Sequence, residues 1–131
     1  MKNIGLAVFK YYSDKSGFFP IISLLILAKN KKLKINALID SGATISVFKE
    51  EIAEQLGIEV ESGEKITLGG VGGRIVGYIH KLRINIANKE FVCPVVFSHE
   101  YFVSLNLLGR SGFFEKFKII FEENKKILKL K

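Results

Sequence analysis

The chain has one cysteine, two prolines, two histidines and only two aspartates among its 131 residues. A single cysteine excludes an internal disulfide framework and fits a reducing compartment, so a cytoplasmic location is expected. No window reaches the roughly 18 consecutive apolar residues of a membrane-spanning helix. The longest apolar run, Pro20 to Ala28, is too short and is interrupted by Ser23. Lys2 is followed by no sustained apolar stretch before Lys10, so no signal peptide is expected. Two prolines against 12 glycines point to many turns between short strands. With 48% hydrophobic and 25% charged residues, the chain reads as globular, and its length predicts one domain over residues 1–131.

Arginine is scarce as well. The net charge of +7 comes mostly from lysine, with only Arg74, Arg83 and Arg110 besides. The lysines gather at positions 29–34 and 125–131 without interleaved aromatics, unlike a base-stacking platform. They read as a solvated surface, and nucleic acid is not expected as a partner. His80 and His99 have no ligand spacing to each other or to Cys93, so no metal site is expected. Cys93, between Val92 and Pro94, reads as a small buried thiol rather than a nucleophile.

Against these shortages stands the run Ala37-Leu38-Ile39-Asp40-Ser41-Gly42-Ala43-Thr44. Three apolar residues deliver one carboxylate to a turn of small residues. Such a carboxylate is costly unless paired or put to use. The other aspartate, Asp14, sits in a polar Ser-Asp-Lys-Ser-Gly loop. Chemistry that needs two carboxylates cannot easily be completed by one copy of this chain. On the Asp-Ser-Gly triplet alone, a structural turn aspartate accepting backbone hydrogen bonds is the simpler reading.

The remaining pattern is mostly strand. Gly5 to Tyr11, Pro20 to Ala28, Leu33 to Ile39, Lys65 to Leu68, Arg74 to Ile86 and Phe91 to Phe97 are extended candidates. Lys118 to Phe121 and Ile127 to Leu130 read as a final hairpin. Ser13 to Gly17 reads as a loop, Lys29 to Lys32 as a hairpin turn, and Asn88-Lys89 as another turn. Lys49 to Leu56 reads as a helix with Gly57 just past its end, and Ser111 to Phe117 as a second short one. The class is all-β with one or two short helices. Leu38-Ile39-Asp40-Ser41-Gly42 is faintly echoed by Leu107-Leu108-Gly109-Arg110-Ser111-Gly112. Two similar halves are expected, one carrying the acid and the other glycine.

Taken together these residues resemble the retropepsin-like (clan AA) aspartic proteases, over roughly residues 20–131. Asp40-Ser41-Gly42-Ala43 resembles the family's catalytic turn. Gly69-Gly70-Val71-Gly72-Gly73 falls where the family has its glycine-rich flap hairpin. Leu107-Leu108-Gly109-Arg110 resembles the second hallmark. Residues 1–19 have no clear counterpart and read as an N-terminal extension. The alternative for the glycines, a phosphate loop, lacks the Gly-Lys-Ser/Thr ending and a following helix.

The resemblance implies a closed β-barrel or sandwich acting as a homodimer on an extended peptide or protein substrate. Asp40 of each chain would share one proton and activate water, since two close carboxylates cannot both ionise. Ser41 would bond across the dimer axis, and Gly42 would let the backbone approach the carboxylate. Ala43, Gly69, Gly70, Val71, Gly72 and Gly73 would line the substrate. No cofactor is implied. Viral members carry an acid where Thr44 and Ile45 stand here, so the partner of Arg110 is open. A non-catalytic dimeric peptide-binding module on the same fold is the alternative function. The C-terminal strand is expected to pair across the dimer.

Overall fold

The computed structural model describes residues 5–70 and 72–131. Its centre is the hairpin of β4 (Ile21–Ala28) and β5 (Lys31–Ile39), in register from Ile21–Leu38 to Ala28–Lys31. Period-two alternation makes the pairing definite. Ile22, Leu24 and Ile26 of one strand and Ile35, Ala37 and Ile39 of the other are buried. The turn is only Lys29-Asn30. Lys31 and Lys32, read from sequence as turn, belong to the strand because their side chains face solvent while their backbones pair.

Before this hairpin come β1 (Ala7–Lys10), β2 (Tyr12–Asp14) and β3 (Gly17–Phe19). The segment read as a loop over Ser13 to Gly17 is therefore the tip of a small hairpin. The Asp14 carboxylate accepts from Ser16 N–H and Oγ there, at 2.8 and 2.6 Å. After β5 come β6 (Ser46–Val47) and α1 (Glu50–Leu56). The helix buries Ile52 and Ala53, and full burial of a side chain the size of Ile52 is worth about 1.5–3 kcal/mol. It ends at Gly57, whose φ of 71° lets its N–H reach the carbonyls of Ala53 and Glu54.

The long hairpin of β7 (Glu64–Gly70) and β8 (Gly73–Ile86) follows, then β9 (Lys89–Phe97) and β10 (Asn106–Leu108). The β8–β9 turn lies at Ala87-Asn88, one residue earlier than the sequence implied, with both residues at positive φ. Strands run in the order β4-β5-β10-β6-β9-β8-β7, and an added β4–β8 pairing closes six of them into a barrel. Most pairs are antiparallel, but β5–β10 and β6–β9 are parallel. The segment expected as a second helix forms only a 3-10 turn at Phe114–Lys116, with Phe113 and Phe117 buried beside it.

The chain ends in β11 (Ile119–Glu122) and β12 (Ile127–Leu130). The expectation that the last strand reaches across a dimer does not hold. Both edges of β12 are filled within the chain, by β1 and β11. The Leu128 and Leu130 side chains are fully buried, so this strand is a centre strand. Residues 7–10, part of the expected extension, are thereby built into a sheet. Among the described residues no helix is long and apolar enough to cross a membrane.

Candidate active site

Asp40 stands where β5 ends. Parallel pairing aligns Leu38 with Leu107 and Ile39 with Leu108, so Gly109 comes level with Asp40. The sequence echo is thus two strands lying side by side. Asp40 N–H continues the ladder to the Leu108 carbonyl at 3.0 Å. The chain then turns. Ala43 N–H donates to the Asp40 carbonyl at 3.1 Å, and Gly42 N–H donates to the Asp40 Oδ1 at 2.9 Å. The carboxylate is half-buried and held by its own turn. A Cβ at position 42 would lie 3.2 Å from that same Oδ1, so glycine gives the turn its close approach.

The second strand braces the turn from below. Arg110 N–H donates to the Ala43 carbonyl at 2.9 Å, and Ser111 N–H to the Thr44 carbonyl at 2.8 Å. Gly109 N–H donates to the buried Ser46 Oγ at 3.0 Å. A Cβ at Gly109 would meet the Ile45 carbonyl carbon and oxygen at 2.5 and 2.6 Å and the Ala43 oxygen at 2.9 Å. All three obstacles are backbone, so only glycine lets the two segments touch. The side chain of Asn106 ties the same region together. It accepts from Lys49 N–H at 2.8 Å and donates to the Asn36 carbonyl at 2.9 Å.

Asp40, Ser41, Gly42 and Ala43 therefore form one rigid turn, with Ser41 and Gly42 exposed. Gly69, Gly70, Gly72 and Gly73 lie at the tip of the β7–β8 hairpin, and Val71 lies outside the described residues. A Cβ at any of these four glycines would meet open space. Packing within one copy of the chain therefore does not account for them. Among the described residues no hydrogen bond joins this tip to the Asp40 turn. Beside the turn, Ser41, Thr44, Arg110, Ser111, Phe114 and Glu115 line an open cavity of about 500 Å3. Arg110 is exposed and forms no ion pair among the described residues.

A scan against family models matches residues 26–111 to one described as aspartyl protease. The chain belongs to the aspartyl protease family. Among solved structures it is similar to a retropepsin-like aspartic protease from Rickettsia conorii. The two share 22% identity at a TM-score of 0.71, over 95% of this chain and 90% of that one. It is also similar to the EIAV protease complexed with the inhibitor HBY-793. There the identity is 22% and the TM-score 0.57, over 76% of this chain and 88% of that one. No curated protein sequence matches significantly. The fold is thus retropepsin-like, an all-β aspartic protease fold with one α-helix.

Two groups in the loop after β9 have roles that were not read from the sequence. Tyr101, in the loop after β9, is half-buried, and its hydroxyl donates to the Leu105 carbonyl at 2.6 Å. Burial, and then the charge of Asp40, push its phenol up to about 12. His99 is the second. Its ring bonds to Glu50 of α1 through Nδ1 and to Glu61 just before β7 through Nε2. Those bonds raise the imidazole above its ordinary value, Glu61 first. Neither residue carries a motif: His99 bonds to Glu50 and Glu61, and Tyr101 meets the charge of Asp40, in each case across a long stretch of sequence. Cys93 is buried as expected, and burial pushes its thiol up to about 11.

Proposed function

We propose that this chain is an aspartic endopeptidase that works as a homodimer, each subunit supplying Asp40 to one shared site. The carrying observation is the Asp40 turn: one half-buried carboxylate, braced by the Gly109 segment, in a chain whose other aspartate is bonded to Ser16 at a hairpin tip. One subunit thus brings one aspartate to the turn, and a second copy brings the other. The exposed Ser41 hydroxyl is free to meet the partner's turn.

The chemistry follows from two carboxyl groups sharing a proton. The ionised Asp40 takes a proton from water as the water oxygen attacks the scissile carbonyl carbon. The protonated Asp40 of the partner gives its proton to the carbonyl oxygen, and a gem-diol forms. On collapse the first carboxyl passes its proton to the leaving nitrogen as the C–N bond breaks. The second takes a proton back from the diol, and both groups return to their starting state. The substrate is an extended peptide, lying as an added strand beneath the β7–β8 hairpin. Gly69, Gly70, Val71, Gly72 and Gly73 act as a flap that excludes water when closed. Ala43 keeps the floor beside the carboxylate small. The protein works in the cytoplasm on this reading, as one domain over its 131 residues.

Mixing tests the shared site. Asp40→Asn chains titrated into wild type make heterodimers with one carboxylate, so cleavage should fall as the square of the wild-type fraction. A linear fall would show that each chain works alone. A second reading, a non-catalytic dimeric peptide-binding module, draws on Thr44 and on Arg110, which forms no ion pair among the described residues. It predicts partner binding that weakens steeply with salt and does not respond to Asp40→Asn.

A further inference from the structure

The β8–β9 ladder ends at the pair Tyr78–Phe97. The next position on that edge of β8 is Val76, and no backbone of β9 reaches it. Two side chains take the place of the missing strand. The buried Ser98 hydroxyl donates to the Val76 carbonyl at 2.5 Å, and the Glu100 Oε1 accepts from Val76 N–H at 2.8 Å. Glu100 N–H donates in turn to Ser98 Oγ at 3.0 Å, closing a ring of hydrogen bonds. Between them His99 is held by Glu50 and Glu61, so the segment is anchored to α1 and to the start of the hairpin at once.

The consequence is mechanical. Up to Val76 strand β8 is held on both edges, by β7 and by β9 or its side-chain substitutes. At Gly77 a Cβ would collide with the Val96 side chain, so β8 packs closely against β9 there. Beyond Val76, residues Gly73 to Ile75 pair only with Leu68 to Gly70. A two-stranded ribbon has no third strand to hold it and is the compliant part.

We propose that Ser98 and Glu100 are positioning residues that set the pivot of the glycine-rich hairpin at Val76. Only the ribbon beyond the Thr67–Val76 pair swings, which fixes how much of the hairpin can close over a bound peptide. That last role rests on the endopeptidase reading; the pivot itself does not. Tyr101 follows directly on the same segment, so the piece of chain that fixes the pivot also flanks Asp40.

Amide hydrogen exchange by NMR tests this on the intact protein with or without substrate. Glu100 is exposed, so Glu100→Ala leaves the core untouched. Loss of its acceptor should speed exchange at Val76 by about tenfold, the scale of one charged hydrogen bond, with amides of β4 and β5 unchanged. Glu100→Gln keeps an oxygen acceptor and should restore most of the protection. Ser98→Ala should loosen the same amides. Unchanged exchange at Val76 in Glu100→Ala, equal exchange in the Gln variant, or an acceleration spread evenly through β4 and β5 would each overturn the pivot. If peptides are cleaved, Glu100→Ala should raise KM with less effect on kcat. If none is cleaved by wild type, the endopeptidase reading fails and the exchange result still decides the pivot.

Discussion

Substituting Gly109 by alanine should damage this protein more than any other single added methyl in the Asp40 region. The new Cβ would sit 2.5 to 2.9 Å from three backbone atoms, of Ile45 and Ala43. Backbone cannot rotate aside as a side chain can, so the two segments must part. Overpacking of this kind costs about 1–3 kcal/mol. Parting also strains the bonds from Gly109 N–H to Ser46, Arg110 N–H to Ala43 and Ser111 N–H to Thr44, each worth about 0.5–1.5 kcal/mol net. If half of that bonding is lost, the total is roughly 2–5 kcal/mol, a large share of a domain's typical ~5–15 kcal/mol. Urea unfolding at one fixed protein concentration measures it, since self-association would otherwise shift the midpoint. Gly70→Ala is the control, because its Cβ meets open space, and it should unfold within about 0.5 kcal/mol of wild type. A Gly109→Ala protein as stable as that control would refute the argument that the two strands meet through glycine.

Other outcomes follow from the titrating groups. His99 is raised by Glu61 and Glu50, so its contribution is full below the ordinary value of 6.5 and fades as pH rises through the higher folded value. Glu61 is lowered, chiefly by His99, so its share is present above 4.5 and is lost as pH falls through the lower folded value. The window for the bridge lies between those limits. His99→Asn should therefore flatten the alkaline loss of stability, and an identical slope in denaturation midpoint against pH would contradict it. Cys93, buried with its thiol pushed up to about 11, should react with a disulfide reagent at about pH 8 only as fast as the protein opens. Immediate stoichiometric reaction of the native protein would show that this strand is not packed as described.

The parts of the architecture legible in sequence were those that repeat or terminate locally. The apolar runs over Pro20 to Ala28 and Leu33 to Ile39 marked β4 and β5, while the face each buries emerged only in the structure. Gly57 marked a helix end, and the echoed apolar pairs before Asp40 and Gly109, read as a sign of two similar halves, lie on two paired strands. The β2–β3 hairpin left no such trace, because all of Tyr12 to Asp14 is exposed and nothing alternates. The Ala87-Asn88 turn was misplaced because alanine seldom adopts φ near 52°. Of the site, the Asp40 turn was visible as a motif. Tyr101 and the Ser98-His99-Glu100 segment were not, since their roles exist only once β8, α1 and the Asp40 turn are brought around them.

The measurement closest to the central claim is cleavage by wild type and by Asp40→Asn, side by side. Each is incubated with a mixed peptide library from about pH 3 to about pH 8, spanning carboxyl and imidazole titration, and products are read by mass spectrometry. Light scattering follows the oligomeric state of both proteins. Wild type should yield peptide products and Asp40→Asn none, with both proteins dimeric. Equal cleavage by the two proteins, or no cleavage by a dimeric wild type at any pH, would contradict that claim.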